Sequence, residues 1–565
     1  MPCRIKRWAG DDYFGVVAEV EVCVEKGAGY LVSPLSGGLA GAFPLEPRGE
    51  VSCAVLRLPP GLYHFGVVGG EAQEECIVEP PSRLLHAPTP YYVGVFKDAV
   101  EVRAYSVEPP EICDGRRCVV GEELHAVGSH RLYRAFVEGL PYSVRCCDVE
   151  IHVDRIKQFR RPKWAPLVMY EVMPDRVKRR LDCRDLRRDL CGGTLNDLSD
   201  MLDYVAQLAD ALYLHPIYNA MSYHRYDVLD HTSVDELLGG PEAYRRLMEE
   251  ARRRGVGIVL DMVLHHVGLK SKMFKERRDL FRVKDASLTE WTLRIVESFP
   301  RPMWTYFFKG SPPYETFMAV WTMPRLDYRK QEAVEYAASV LSSWSDKADG
   351  FRFDVAHGIP PAVWNALTSR YMETHYLLAE HTGDPTAYLG VHHGFTAYEL
   401  YGAVLDFLAF DKIDAGQFAA RLKKYLAKIG PSQLRYMYTF VENHDTDRIC
   451  SLAGKKRAVL AYVLIYSMPG IPAVYAGGEA CARGLASDHT NRRPLDELRP
   501  DPELLTTLRV LYRLRRRHPE IAEGPVKEVW GEGDRLLLRN ASISLTLDRR
   551  EEKAELMAPD GYYSF

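Results

Sequence analysis

Four stretches decide the fold: Gly257-Ile258-Val259-Leu260-Asp261, Gly350-Phe351-Arg352-Phe353-Asp354, Tyr376-Leu377-Leu378-Ala379-Glu380 and Tyr438-Thr439-Phe440-Val441-Glu442-Asn443-His444-Asp445. Each is a strand-like apolar run that finishes in a carboxylate. Burying an apolar strand and presenting an acid at its carboxyl end is how a (β/α)8 barrel gathers catalytic groups at one mouth. The chain is therefore expected to do acid chemistry there.

Outward from these runs, strand-like and helix-like segments alternate from residue 166 onward, which predicts a parallel sheet covered by helices. Strand 167–172 precedes helix 195–208, and strand 211–217 precedes helix 241–254, where Tyr244, Leu247 and Met248 make one apolar face. Strand 256–260 is the third. Residues 267–327 exceed a simple loop and predict a small subdomain inserted after strand 3, over the barrel mouth. Helix 331–345, strand 350–355, helix 362–373 and strand 376–379 follow. A sixth strand is read at 403–407, its helix at 417–429 and a seventh strand at 435–441. The last helix, strand and helix are read at 457–468, 471–475 and 503–516. Eight units result, so the fold class is α/β, a (β/α)8 TIM barrel over residues 166–522. Residues 1–155 carry β-branched and aromatic runs (16–24, 51–58, 91–96, 100–105) between Gly/Pro-rich turns, which predicts an N-terminal β-sandwich domain. Short strands at 535–538 and 542–547 predict a short C-terminal β domain over 523–565.

At 565 residues the chain exceeds one core, in keeping with this division. Lys+Arg 73 against Asp+Glu 77 leaves a formal charge of −4 and gives no electrostatic case for nucleic acid or an anionic membrane as partner. A neutral substrate fits better. No apolar run after the basic start, Met1-Pro2-Cys3-Arg4-Ile5-Lys6-Arg7-Trp8, reads as a secretion signal, and no stretch is long and uncharged enough to span a bilayer. The expected location is cytoplasmic. Twelve Cys leave two readings open, buried free thiols or disulfides, the latter compatible with a cell interior mainly in a hyperthermophile. No zinc-type spacing is present.

Cleaving a glycosidic bond with retention needs two carboxyls roughly 5–5.5 Å apart, one a nucleophile and the other a protonated acid. Asp354 suits the nucleophile, because Arg352 lies two residues earlier on the same side of the strand and would hold it ionised. Glu380 ends an almost wholly apolar strand, where desolvation favours the protonated form. Asp445, beside His444, would bind substrate hydroxyls and steady a cationic transition state. His266 and His224 are candidate donors to the same sugar, and Tyr226 offers a ring for stacking. Taken singly, an acid at a strand end more often caps a helix than catalyses; the ordered set overturns that reading.

The runs 261–266, 350–354, 379–380 and 442–445 resemble the four signature regions of the α-amylase superfamily (glycoside hydrolase family 13). Segments 169–176, 222–227, 469–475 and 491–494 resemble further family segments in the same order. The resemblance, over about residues 166–520, implies that Asp354 is the nucleophile, Glu380 the general acid/base and Asp445 the transition-state stabiliser. Arg352, His266, His444, His224, Tyr226, Asp261 and His357 are then the substrate-binding set. Met323-Pro324-Arg325-Leu326-Asp327 is similar to the fifth region of the neopullulanase, cyclomaltodextrinase and maltogenic amylase group. That group implies cleavage of α-1,4 bonds in maltooligosaccharides, cyclodextrins, starch or pullulan, with transglycosylation as a companion activity, and a homodimer formed through the N-terminal domain.

Three departures stand out. His265 replaces the family's usual Asn, and Gly358 replaces a His that often ligates calcium, so no metal or other cofactor is expected. Val355-Ala356-His357-Gly358 resembles some α-glucosidases instead, which makes an exo-acting α-glucosidase or glucosyl transferase the alternative. Thr382 stands where a Trp commonly follows the acid, removing a stacking platform. A non-catalytic glucan-binding barrel is the reading from a different class, and the presence of all three acids argues against it.

Overall fold

A computed structural model of the chain describes residues 3–11, 13–25, 30–36, 43–67, 74–88, 100–155, 160–297 and 310–565. Its centre is a closed parallel barrel of β1 (Met169–Val172), β2 (Ala211–Leu214), β3 (Gly257–Met262), β4 (Gly350–Phe353), β5 (Tyr376–Ala379), β6 (Gly394–Phe395), β7 (Tyr438–Thr439) and β8 (Ile471–Tyr475). Neighbours pair in chain order, and β8 returns to β1 with Met169 opposite Ala473. A bridge between Thr396 and Tyr438 joins β6 to β7.

The two-residue period of these strands separates two cores. Tyr170, Val172, Leu212, Leu214, Phe351 and Phe353 point outward and pack with the surrounding helices. Met169, Ala211, Tyr213, Val259, Leu378, Tyr438, Phe440 and Ile471 point inward and fill the barrel. The interior is thus a packed plug, and the polar groups that continue the inward rows stand on top of it.

The sixth strand differs from the sequence reading. Residues 403–407 lie inside the helix Tyr398–Leu408, and the strand is Gly394–Phe395. A five-residue stretch has no period long enough to separate a buried helix from a strand. The true strand begins with Gly394, where a Cβ would stand 1.7 Å from the Tyr436 carbonyl oxygen, so β6 approaches β7 too closely for any side chain. The seventh strand is likewise shorter than read, at Tyr438–Thr439.

The insertion after β3 contains helices Lys272–Glu276 and Ala286–Glu297 and returns to the barrel through a bridge between His266 and Arg325. The N-terminal sandwich architecture is doubled. Among the described residues, four antiparallel sheets make two units with separate cores, one around Val20, Leu31 and Phe65, the other around Val102, Ile112 and Val144. Strand Gly15–Glu25 matches the expectation, while the run read at 91–96 lies outside the described residues. Five antiparallel strands from Val526 to Ser564 form the C-terminal sheet. Of the two readings left open for the cysteines, disulfides hold: all twelve pair, as 3–76, 23–53, 113–118, 146–147, 183–191 and 450–481. No helix among the described residues is long and apolar enough to cross a membrane.

Several contacts among the described residues fasten the N-terminal units to the barrel. The Arg103 guanidinium donates to the carbonyls of Leu426, Ala427 and Ile429, the unpaired acceptors at the end of helix Ala415–Lys428. Near the barrel mouth, the Pro34 carbonyl accepts from the Asp384 N–H at 2.8 Å, and the Leu35 carbonyl lies 3.1 Å from His381 Nε2. His381 is the residue after Glu380, so the first sandwich reaches the rim of the barrel mouth.

Candidate active site

Two-residue steps up the inward rows lead from Met169 to Glu171, Tyr213 to His215, Val259 to Asp261, Leu378 to Glu380 and Arg352 to Asp354. The strands therefore deliver these side chains to one shared layer above the plug.

Arg352 is the hub of that layer. Buried to 2% exposure, it places Nη1 3.0 Å from Asp261 Oδ1 and 2.9 Å from Asp354 Oδ1, and Nη2 2.9 Å from Glu380 Oε1. The two carboxyls that the sequence reading paired thus share one guanidinium fork. Asp261 is further held by the Tyr213 and Tyr226 hydroxyls, each donating at 2.9 Å. Glu380 Oε2 accepts from the Val355 N–H at 2.8 Å, and Val355 adopts φ 47°, an unfavourable conformation for a β-branched residue that is held by its surroundings. Asp354 Oδ2 is buried without a hydrogen-bond partner. Burial pushes the Asp354 carboxyl well above the usual range, and the Glu380 and Asp261 charges act in the same direction against Arg352. The sequence reading had Arg352 holding Asp354 ionised; Arg352 does act in that direction, and burial opposes it.

Across the mouth, Asp445 pairs with His444 Nε2 at 3.0 Å and with Arg492 Nη2 at 2.9 Å, with 42% of its side chain open to solvent. Partial desolvation opposes its ionisation, but His444 and Arg492 hold it well below the usual carboxylate range. His444 itself is pushed up to about 9: burial disfavours the cation, and Asp445 and Glu171 outweigh it.

The remaining sequence candidates divide. Tyr226 joins the cluster, its hydroxyl 2.9 Å from Asp261 Oδ2 and 3.0 Å from His444 Nε2. His266 lies flat against Phe317, ring centroids 5.3 Å apart, and burial pushes it down to about 3, so its ring is neutral. His224 stacks beside Tyr226, but Ser222 Oγ and the Tyr226 N–H already engage its two nitrogens, which limits it as a donor to a sugar. His357 sits against the Glu380 carbonyl at 3.3 Å and the His381 ring, bracing the strand end. Sequence reasoning missed Glu171, His215, Tyr213 and Arg492. Glu171 reads as one acid inside a buried strand, and Arg492 lies in a segment noted only for its resemblance.

The alpha-amylase family, in the form of its catalytic domain, matches residues 171–376 and 362–503. The chain belongs to the alpha-amylase family. Among relatives of this alpha-amylase-family chain, neopullulanase 2 of Thermoactinomyces vulgaris is 27% identical over 72% of the chain and 73% of its own length. An intracellular maltogenic amylase of Bacillus subtilis is 28% identical over 58% of the chain and 57% of its own length. Among solved structures, the maltogenic amylase from S. marinus superposes with a TM-score of 0.82 at 22% identity, covering 100% of this chain and 99% of that one, a likeness of fold.

The two positions that the resemblance links to calcium do not make an oxygen cradle here. A Cβ at Gly358 would meet the His265 ring at 2.4 Å, so the imidazole fills the space a side chain at 358 would need. The Arg325 guanidinium already occupies the Gly358 carbonyl at 2.8 Å. A cationic side chain at the remaining acceptor is the opposite of what a divalent ion requires.

Proposed function

We propose that this alpha-amylase-family chain is a retaining α-glucan hydrolase that cleaves α-1,4-glucosidic bonds of maltooligosaccharides, cyclodextrins, starch or pullulan. The observation that carries the reading is the pair Asp354 and Glu380 on one guanidinium, with Asp354 Oδ2 left bare. In this reading ionised Asp354 attacks the anomeric carbon through Oδ2 while Glu380, in its acid form, gives its proton to the departing glycosidic oxygen. The resulting glycosyl ester is then cleaved by a water from which Glu380 takes a proton. Asp445 and His444 bind sugar hydroxyls and stabilise the oxocarbenium-like state. The names of the relatives, a neopullulanase, a maltogenic amylase and cyclomaltodextrinases, support the substrate class.

Products from maltotriose, cyclodextrin and pullulan test this. Ring opening of cyclodextrin with maltose as product is expected; release of glucose alone from linear chains, with cyclodextrin untouched, would make the chain an exo-acting α-glucosidase instead. A homodimer through the N-terminal sheets belongs to the same proposal, and a monomer in sedimentation at micromolar concentration would remove it. So does a location inside a hyperthermophile's cell, which complete cysteine pairing accommodates.

A further inference from the structure

We propose that Glu171 is a positioning residue: its carboxylate holds His444 as an imidazolium behind Asp445 and thereby sets the alkaline limit of the reaction. The inference rests on the hydrolase reading above for its link to turnover, and on hydrogen-bond geometry together with burial for the charge state.

Glu171 is fully buried at the end of β1, yet four donors converge on it. His444 Nδ1 lies 2.7 Å and the His444 N–H 3.2 Å from Oε1, His215 Nε2 lies 3.0 Å from the same oxygen, and the Tyr438 hydroxyl donates to Oε2. A carboxyl receiving this many donors is held ionised; burial opposes this, and His215 and His444 overcome it.

His444 therefore has a carboxylate at each ring nitrogen, Glu171 at Nδ1 and Asp445 Oδ2 at Nε2, 3.0 Å away. A neutral imidazole carries one N–H, so satisfying both carboxylates takes both protons. The Tyr226 hydroxyl, also 3.0 Å from Nε2, has its proton committed to Asp261 and is free only to accept. His215 stands edge-on to His444 with centroids 4.1 Å apart, and two adjacent cations are excluded there. Burial and the His444 charge push His215 down to about 4, so it serves Glu171 as a neutral donor. The other charged groups facing this pair are Arg492, whose Nε donates to the His444 carbonyl, and Arg352 beyond Asp261; neither bonds the ring. Glu171, His215 and His444 have the composition of a metal site, but both imidazoles point at a single Glu171 oxygen, as hydrogen-bond donors do.

The consequence is specific. Without the Glu171 charge, His444 keeps one carboxylate partner, which is open to solvent, and it loses its proton closer to neutrality. Asp445 then loses the cation that orients it. The test is Glu171→Gln in the full chain, with kcat/KM followed against pH on a maltooligosaccharide and the His444 ring nitrogens followed by 15N NMR, assigned with His444→Asn. We expect the alkaline limb to move down by about one pH unit or more, so that the loss of kcat/KM at about pH 8 exceeds the loss at about pH 5.5 by roughly tenfold. The His444 signals should be those of a doubly protonated ring at about pH 8 in the wild type and of a neutral ring in Glu171→Gln, with Glu171→Asp restoring part of the shift. An unmoved alkaline limb, or a ring still doubly protonated in Glu171→Gln, would overturn the proposal. If Glu171→Gln does not fold, the wild-type titration decides: a His444 ring that loses its proton near the ordinary value sinks it. Failure of the hydrolase reading would show as no α-glucan turnover in the wild type, and leaves the NMR result to judge the charge assignment by itself.

Discussion

Arg352 meets three carboxylates with a single charge, and all four groups are buried or nearly so. Removing it leaves like charges facing one another at buried positions. Arg352→Met is expected to cost about 3–5 kcal/mol of stability, as for other broken buried ion clusters, and to abolish turnover; a melting temperature equal to the wild type would contradict this. Glu380→Gln keeps the shape and one of the two acceptor oxygens but withholds the proton, so kcat/KM should fall roughly 10²–10⁴-fold with an unchanged circular dichroism spectrum. His444 has the opposite dependence to a carboxylate. Its folded value lies above its unfolded one, so its contribution to stability is complete below the ordinary histidine value and is lost as pH rises through about 9. A thermal melt series across that window should show the loss, and His444→Asn should flatten it. At this scale the acids were legible because each terminates an apolar run. Glu171 and His215 were not: an acid within the strand 169–172 and a histidine after the run 211–214 gain meaning only when barrel closure brings β1, β2 and the loop after β7 together.

Several helices were legible where the apolar period ran long enough, whereas the single helix read at 195–208 is broken at Met201 into Leu195–Asp200 and Leu202–Val205. Helix Gly240–Arg253 and helix Pro502–Arg517 lie within a residue of where their apolar spacing put them. Strand β6 failed the test because two residues carry no period at all; its location is set by the close approach of Gly394 to the Tyr436 carbonyl. Gly394→Ala forces a methyl group onto that oxygen and should destabilise the barrel by at least about 1–3 kcal/mol, read as a lower denaturation midpoint. The turn after β4 makes a second case. Gly358 leaves room for the His265 ring while Arg325 takes its carbonyl, so this turn is held by side chains of the chain itself. Added EDTA or calcium should leave the melting temperature unchanged; a clear rise with calcium would show that a cation site exists here after all.

Over the whole molecule, the covalent and polar links tie the N-terminal sheets to one another and to the barrel. Cys3–Cys76 closes 73 residues across the first sandwich, a loop for which chain entropy gives about 4 kcal/mol. Reductant should therefore lower the melting temperature, first in the N-terminal sheets; identical melts with and without it would refute a stabilising role. Arg103→Met takes the donors away from the end of helix Ala415–Lys428 and should make the N-terminal sheets more susceptible to limited proteolysis while the barrel resists. This arrangement was half visible beforehand: composition separated the β-rich start from the barrel, but nothing in a linear sequence announces that residues near 35 meet residues near 381. That meeting bears on protein engineering. A catalytic barrel excised at residue 166 would lose the acceptors that the Pro34 and Leu35 carbonyls offer to Asp384 and His381, one residue from the proposed acid. Chimaeras that exchange front-end modules between relatives would consequently exchange part of the support behind Glu380, and a change in turnover is the phenotype to look for in such hybrids.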